Sequence, residues 1–232
     1  MKAMILAAGY GRRMGVLTES MPKPLLKLHG RALIEHSLFC CQRAGITDVV
    51  INVHYHAEQL MAFLGDGDRY GMSIQYSDER DQLLGTGGGI VRALPLLGEA
   101  PFVLLSSDIV TDFSLAALPT LNEDHLAHLV LVNNPEHHPQ GDFALQAGFI
   151  TYQGARFTYA NIALLSPRLF QGEQVQPADL VSSLNKAIGQ SKVTGEFYNG
   201  HWFNVGTAEI LEALHARAGK PMLGGCPKKR AT

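Results

Sequence analysis

Short apolar runs alternate with helical segments through the first half of the chain, and this alternation constrains the fold more than any other feature. Runs rich in Val, Ile and Leu, typical of buried strands, occupy residues 2–7, 48–53, 73–77, 102–106 and 126–132. Segments with helical spacing of apolar residues lie between them, at residues 32–44, 56–64 and 87–97. Strands that alternate with helices in this way form a largely parallel sheet covered on both faces. The sequence therefore predicts an α/β fold with a doubly wound sheet.

The second half of the chain is less regular. Short strands are predicted at residues 148–151, 156–159, 162–165 and 193–197, and helices at residues 178–187 and 207–218. The sequence shows neither an internal repeat nor a clean linker, which favours one domain over residues 1–218. From residue 219 the chain is rich in Gly, Pro and Lys without apolar periodicity, so residues 219–232 are predicted to form a flexible tail.

The composition excludes several classes of protein. Hydrophobic residues make up 46% of the 232 positions and charged residues 17%, which is too apolar for an intrinsically disordered chain. The formal net charge is −2, so the chain has no overall field to hold nucleic acid or an anionic membrane. We therefore expect neither nucleic acid nor membrane as a partner, and any phosphate must be held by a local site.

Cysteine usage and the N-terminal segment indicate a reduced, cytoplasmic protein. Of the three cysteines, Cys40 and Cys41 are adjacent on a predicted helix and Cys226 lies in the tail. This arrangement supplies neither a disulfide framework nor a C-x-x-C zinc motif. The apolar run before Gly9 is too short for a signal-peptide core, and no window reaches the ~18 apolar residues of a membrane span.

A glycine-rich loop follows the first predicted strand. The sequence L-A-A-G-Y-G-R-R-M-G occupies residues 6–15. Consecutive backbone amides in such a turn form an anion-binding concavity, and Gly9 and Gly11 allow the backbone to approach a phosphate closely. The loop lacks the third glycine of the dinucleotide fingerprint and is not a Walker A motif. It carries Arg12 and Arg13 instead, two guanidinium groups suited to phosphate.

Lys23 lies between two prolines shortly after this loop. Prolines on both sides stiffen the backbone and hold the lysine extended. A rigidly placed lysine together with a guanidinium fork suits a polyphosphate. The alternative is an ordinary loop with solvated basic side chains, but the spacing of Arg13 and the P-K-P segment favours phosphate binding.

Two further motifs lie at predicted strand or helix ends. L-G-T-G-G-G at residues 84–89 opens a predicted helix, and taken alone the motif is better explained by a plain helix entry. Asp108 follows the strand at residues 102–106. In parallel sheets the ligand crevice lies outside the carboxyl ends of the strands, so Asp108 is placed where a hard cation would be needed. Its alternative role is to cap a helix before Ser114.

Residues 6–25 resemble the signature of the nucleoside-diphosphate-sugar pyrophosphorylases, the sugar-1-phosphate nucleotidyltransferases. That signature is L-A-A-G-x-G-x-R-M-x-P-L-T-x-x-x-P-K-P-L, and Val16 replaces its first proline. The resemblance extends to about residue 218. It implies a Rossmann-like, mostly parallel mixed sheet with one antiparallel strand. It also implies that residues 1–132 mainly bind nucleotide, and that residues 133–218 form a small β-rich part that mainly binds sugar.

The resemblance assigns roles to individual residues. It implies that Arg13, Lys23 and Asp108 are catalytic, that Asp108 binds Mg²⁺, and that Gly85 lets the nucleobase lie against the backbone. The nucleotide contacts that it implies are Leu6, Ala8, Gly9, Gly11, Arg12, Arg13, Lys23, Glu79 and Gly85.

The chain departs from the family at the second metal position. The family pattern is W-x-D-V-G-T, whereas residues 202–207 read W-F-N-V-G-T and place Asn204 at the aspartate position. An amide carbonyl is still an oxygen ligand for Mg²⁺, but it lacks the negative charge. The expected metal ligands are therefore Asp108 and Asn204, with a weaker site or a loss of turnover as the alternatives.

The region expected to bind sugar resembles one branch of the family. N-N-P-x-H-H-P-x-G-D-F at residues 133–143 and G-H-W at residues 200–202 resemble the branch that activates N-acetylmuramate 1-phosphate with UTP. Asp142, Gly148 and Asn161 are then candidate sugar contacts. For Gly148 the alternative is a turn, and for Asn161 a strand edge.

The resemblance implies that a nucleoside triphosphate and a sugar 1-phosphate give a nucleotide sugar and pyrophosphate. A guanylyltransferase acting on mannose or heptose 1-phosphate and a thymidylyltransferase acting on glucose 1-phosphate are alternatives within the class. A nucleotide-sugar-binding protein without turnover is the alternative outside it. The sequence leaves the oligomeric state open between monomer and dimer.

Overall fold

The computed structural model describes residues 1–217. Residue 218, the last of the predicted C-terminal helix, and the predicted tail at 219–232 lie outside the described residues. Within this range the chain forms thirteen strands and five α-helices. No helix in it is long and apolar enough to cross a membrane.

The strands and helices follow the predicted order closely in the first half. The strands are β1 (Lys2–Leu6), β2 (Lys27–Leu28), β3 (Arg31–Ala32), β4 (Asp48–Val53), β5 (Ser73–Asp78), β6 (Phe102–Ser106), β7 (Ile109–Thr111), β8 (Ala127–Val132), β9 (Phe143–Gln146), β10 (Phe149–Thr151), β11 (Arg156–Leu165), β12 (Val193–Phe197) and β13 (Trp202–Asn204). The α-helices are α1 (Leu33–Arg43), α2 (Ala57–Leu64), α3 (Gly85–Leu97), α4 (Leu180–Gly189) and α5 (Ala208–Ala216).

Nine strands form one mixed sheet in the order β5-β4-β1-β6-β11-β8-β12-β10-β9. Strands β5, β4, β1 and β6 are mutually parallel, and β8 is parallel to β12. Strand β11 runs antiparallel to both β6 and β8, as the family resemblance implies. In the described residues a second strand, β10, also runs against the direction of the parallel strands: it is antiparallel to β12 and forms a hairpin with β9. The mostly parallel mixed sheet and its β-rich second half are confirmed.

Alternating side chains bury both faces of the sheet, because successive residues of a strand point to opposite sides. On β1, Ala3 and Ile5 pack in the layer that contains α1 and α2, whereas Met4 packs in the layer that contains α3 and α4. Burying each large apolar side chain contributes about 1.5–3 kcal/mol, so both layers drive folding. The predicted doubly wound architecture is confirmed.

The two cysteines in the described part of the chain lie on α1. Cys40 and Cys41 are free, and both pack in the apolar layer that contains α1 and α2. Burial raises the pKa of the Cys40 thiol to about 11, which keeps it protonated and unreactive near neutral pH.

Two predicted strands, at residues 156–159 and 162–165, form a single strand, and the prediction of a break was wrong. Strand β11 continues through a β-bulge, where the pairing with β8 shifts register between Tyr159 and Ala163. Asn161 lies in this bulge with a φ of +55°. In the sequence, Asn161 interrupts the run of apolar residues, and this interruption is why a loop was predicted between two strands. Strands β2, β3, β7, β9 and β13, each two to four residues long, were not predicted.

We expect the bulge to tolerate only residues that accept left-handed backbone. Asn161→Val should lower the free energy of unfolding by about 1–2 kcal/mol, because a β-branched side chain clashes at positive φ. Asn161→Gly should change it by less than about 0.5 kcal/mol. Urea denaturation measures both values, and equal stability of the two variants would show that the backbone at this position is not constrained.

Candidate functional site

The carboxyl ends of β1, β4 and β6 meet at one edge of the sheet. The pairing register places Leu6, the last residue of β1, opposite Asn52 on β4 and opposite Ser106 on β6. The glycine-rich loop follows β1, and Asp108 lies two residues beyond β6. Ligands bind at this edge in doubly wound sheets. Parallel pairing therefore brings together groups that are far apart in the sequence.

These strand ends surround a cavity of about 470 Å³, a size that fits a small-molecule ligand. Most residues predicted from the sequence to bind nucleotide or catalyse line this cavity. They are Leu6, Ala8, Gly9, Gly11, Arg12, Arg13, Lys23, Gly85 and Asp108. Asn52 also lines it and was missed by the sequence analysis, although an asparagine in the apolar strand D-V-V-I-N-V was a signal that could have found it.

Gly11 shapes the loop in two ways. Its φ of 66° is left-handed and starts the short 3-10 helix Arg12–Thr18, in which Met14 N donates to Gly11 O at 2.8 Å. A Cβ at this position would lie 2.9 Å from Lys23 Cβ. Glycine is therefore required both for the backbone angle and for the close approach of the lysine.

Lys23 and Asp108 form an ion pair between Lys23 Nζ and Asp108 Oδ2. Their side chains are only 11% and 18% exposed. Pro22 holds the preceding backbone extended, and its carbonyl accepts a hydrogen bond from Leu25 N at 2.9 Å, which directs the lysine into the cavity. Each charge compensates the other in a site with little water around it.

The two arginines of the loop extend this positive region. The Arg13 guanidinium lies beside Gly206, the second residue after β13, where a Cβ would be in van der Waals contact with Arg13 Nη1 at 3.4 Å. The Arg12 guanidinium stacks over the Tyr10 ring at 4.8 Å. Within residues 1–217 neither arginine takes part in an ion pair. Both charges are available to an anion in the cavity.

Strands β7 and β13 place Asn204 beside Asp108. Asn204 pairs with Ile109, and Val205 N donates to Asp108 O at 2.9 Å. Asn204 Oδ1 is buried and has no hydrogen-bond partner within the described residues. A carboxylate and an unpaired amide oxygen are hard oxygen donors and fit Mg²⁺. The described chain contains no group of three or more His, Cys, Asp or Glu residues that could hold a metal ion.

Glu79 does not line the cavity, in contrast to the direct nucleotide contact predicted for it. It is fully buried behind the cavity wall. Its Oε1 accepts from Asn52 Nδ2 at 2.7 Å, and its Oε2 accepts from Leu84 N at 3.0 Å. Burial raises the pKa of this carboxyl above its usual value, against the opposing effect of these two donors. Its two oxygens are already occupied within the protein.

The glycines after Leu84 pack α3 closely against the segment before α4. A Cβ at Gly88 would lie 2.0 Å from Gln176 O, and one at Gly85 would lie 2.8 Å from Ala178 O. Gly87 N donates to Ala178 O at 2.8 Å. Close packing therefore accounts for Gly88, while Gly85 has this role and also lines the cavity.

The three candidate sugar contacts lie outside this cavity. Asp142 Oδ2 accepts from Tyr159 N at 2.8 Å, and its Oδ1 accepts from His138 Nε2 at 3.0 Å. Gly148 has a φ of 82° in the β9–β10 turn, and Asn161 lies in the bulge of β11. The turn that was the alternative for Gly148 is present. The two hydrogen bonds that Asp142 accepts, from His138 and from the backbone of Tyr159, hold its loop in place.

A cavity of this kind at the strand ends of a doubly wound sheet is typical of a phosphate-binding α/β protein. Residues 2–143, more than half of the chain, match the family model described as nucleotidyl transferase. The chain belongs to the nucleotidyl transferase family.

Several relatives have an assigned activity. The chain is 41% identical to N-acetylmuramate alpha-1-phosphate uridylyltransferase of Neisseria meningitidis serogroup B, over 94% of this chain and 99% of the relative. It is 33% identical to the protein of the same name from Caulobacter vibrioides, over 93% of this chain and 96% of that relative. Mannose-1-phosphate guanyltransferase of Aspergillus fumigatus is 29% identical over 89% of this chain and 61% of its own length.

A solved structure confirms the fold. A Bacillus anthracis protein proposed to be a glucose-1-phosphate thymidylyltransferase, crystallised with sucrose, superimposes with a TM-score of 0.83. The alignment covers 93% of this chain and 94% of that protein, at 21% sequence identity. The similarity establishes the architecture independently of the motifs.

We expect the Lys23–Asp108 pair to contribute to stability as a unit. Lys23→Ala and Asp108→Asn should each lower the free energy of unfolding by about 1–3 kcal/mol, because each leaves a poorly solvated partner group behind. The double variant should lose less than the sum of the two. The measurement is urea unfolding in EDTA. The exposed Arg80–Asp78 pair provides the control, since Arg80→Ala should cost less than about 0.5 kcal/mol. Additive losses at Lys23 and Asp108 would contradict the coupling.

Proposed function

We propose that the protein transfers a uridylyl group from UTP to N-acetylmuramate 1-phosphate, giving UDP-N-acetylmuramate and pyrophosphate. The observation that carries this proposal is the cavity in which the glycine-rich loop, Arg13, Lys23 and Asp108 converge. The choice of UTP and N-acetylmuramate 1-phosphate is supported by the two relatives of that name, which align over nearly their whole length. We place the reaction in the cytoplasm, where nucleoside triphosphates are made.

The charges of the site suit this reaction. The attacking group is a phosphate monoester, whose second pKa near ~6 leaves it largely dianionic at neutral pH, so no general base is needed. The barrier is the alignment and mutual repulsion of two anions, which positioning and fixed positive charge reduce. Arg12, Arg13 and Lys23 supply that charge, and the backbone at Gly9 and Gly11 lies open to the phosphates.

Lys23 changes partner in this proposal. Its ammonium group is paired with Asp108 across the cavity wall. A triphosphate carries more negative charge than one carboxylate and competes for the ammonium group. Lys23 would then stabilise charge on the leaving pyrophosphate, and the Asp108 carboxylate would become available to a cation.

We propose Mg²⁺ as the cation, held by Asp108 and Asn204. The unpaired, buried Oδ1 of Asn204 supports the second ligand. When bound, Mg²⁺ supplies Lewis-acid stabilisation of phosphate charge. Asp108 contributes the formal charge of the site, while Asn204 contributes an oxygen without one.

The substrate choice is tested by pyrophosphate release from a panel of nucleoside triphosphates and sugar 1-phosphates. We expect kcat/KM to be highest for UTP with N-acetylmuramate 1-phosphate. A higher value for GTP with mannose 1-phosphate, or for dTTP with glucose 1-phosphate, would contradict the substrate but keep the class. No release with any pair would favour a nucleotide-sugar-binding protein. Lys23→Ala, expected to be ~100-fold slower, is the control against a contaminating enzyme.

The assignment of Asn204 predicts a gain from restoring the carboxylate. Asn204→Asp should lower the Mg²⁺ concentration for half-maximal activity by about 5- to 150-fold, equivalent to ~1–3 kcal/mol. Binding of Mn²⁺ without substrates, followed by electron paramagnetic resonance, should tighten in parallel. An unchanged metal dependence by both measurements would show that Asn204 does not touch the ion.

A further inference from the structure

A buried hydrogen-bond relay connects the two walls of the cavity. Ala7 N donates to Asn52 Oδ1 at 2.8 Å, and Asn52 Nδ2 donates to Glu79 Oε1 at 2.7 Å. Leu84 N then donates to Glu79 Oε2 at 3.0 Å. The chain of bonds runs from Ala7 in the glycine-rich loop, through two side chains, to the opposite wall.

Each end of the relay is next to a residue of the cavity. Ala7 lies two positions before Gly9, and Leu84 immediately precedes Gly85. Both ends are backbone amides, so the relay fixes main chain rather than mobile side chains. The distance between the two walls therefore depends on these two side chains and on their orientation.

The site of the relay is built for a polar pair. Asn52 is 2% exposed and Glu79 is fully buried, and burying a carboxylate costs free energy unless it is hydrogen-bonded. A Cβ at Gly89 on α3 would lie 2.6 Å from Glu79 Oε1 and 3.0 Å from Asn52 Nδ2. The helix thus carries a glycine where it meets the pair. Two apolar side chains would avoid the buried charge, but they would leave Ala7 N and Leu84 N without acceptors, so it is the polar pair that holds these two backbone amides in place.

We propose that Asn52 and Glu79 are positioning residues that set the separation between the phosphate-binding loop and the wall at residues 83–86, and thereby the affinity for the nucleoside triphosphate. This inference rests on the proposed function. Glu79 acts on the nucleotide through Asn52 and two backbone amides, without touching it.

The donor and acceptor pattern makes the relay testable by exchange. Glu79→Gln offers one acceptor to two donors, because its amide nitrogen must face either Asn52 Nδ2 or Leu84 N. Asn52→Asp places two carboxylates against each other. In the double variant Asn52→Asp/Glu79→Gln, the introduced carboxylate accepts from Ala7 N and from the introduced amide, whose oxygen accepts from Leu84 N. The double variant therefore restores all three hydrogen bonds, and the negative charge moves from position 79 to position 52.

The experiment measures the dissociation constant of UTP by calorimetry, together with KM and kcat. We expect each single variant to bind UTP about 10-fold or more weakly, with a higher KM for UTP, and the double variant to return to within about threefold of the parent protein. Ser77→Ala is the matched control. Ser77 is a buried residue of β5 that lies opposite Asn52 of β4 in the sheet. Because its Oγ has no hydrogen-bond partner in the described residues, its removal should leave the UTP affinity unchanged.

The possible results separate the relay from the proposed function. Single variants that fold and bind UTP normally, or a double variant no better than the singles, would overturn the relay. If the single variants do not fold, Gly89→Ala, which presses on the pair from α3, should weaken UTP binding, and an unchanged affinity would overturn it. A parent protein that binds UTP without releasing pyrophosphate would contradict the reaction alone. If it prefers another triphosphate, that triphosphate replaces UTP in the same comparison.

Discussion

The parallel pairing of β1 between β4 and β6 is the constraint on which the site depends. One register sets Leu6 opposite both Asn52 and Ser106, and so fixes where the glycine-rich loop, the relay and Asp108 lie relative to each other. Because all three strands end at the same edge, the sheet supplies a rigid floor and the loops supply the chemistry. A shift of register by one residue would turn Asn52 away from the cavity and bury it in the opposite layer.

Electrostatic compensation explains how such a site remains stable before substrate binds. Lys23 and Asp108 neutralise each other, while Arg12 and Arg13 line the cavity without an ion pair in the described residues and keep it positively charged. An anion that enters the cavity finds the lysine already held near its working position. In the proposed reaction Lys23 changes its partner from Asp108 to phosphate while it stays in the cavity, and a charge that is placed in advance favours electrostatic stabilisation.

Features of the fold and of the cavity that depend on local sequence pattern could be predicted. The apolar runs predicted β1, β4 and β6 to within a residue, and the motifs around Gly9, Lys23 and Asp108 identified most of the cavity. Long-range partners were not predictable, because the Lys23–Asp108 pair and the Asn52–Glu79 bond join residues from different strands and loops. The placement of Glu79 was missed for the same reason, since only the folded structure shows that it is buried. The role of the candidate sugar contacts stays a prediction.

In the proposed reaction this cavity binds the triphosphate, and Lys23 exchanges Asp108 for phosphate when it does. The most direct measurement is a crystal structure with a non-hydrolysable UTP analogue and Mg²⁺. We expect the phosphates to lie against the backbone of Gly9 and Gly11, Lys23 Nζ to contact a phosphate oxygen, and Asp108 to face the cation. A nucleotide bound elsewhere, or a Lys23 still paired with Asp108 beside a bound triphosphate, would contradict it.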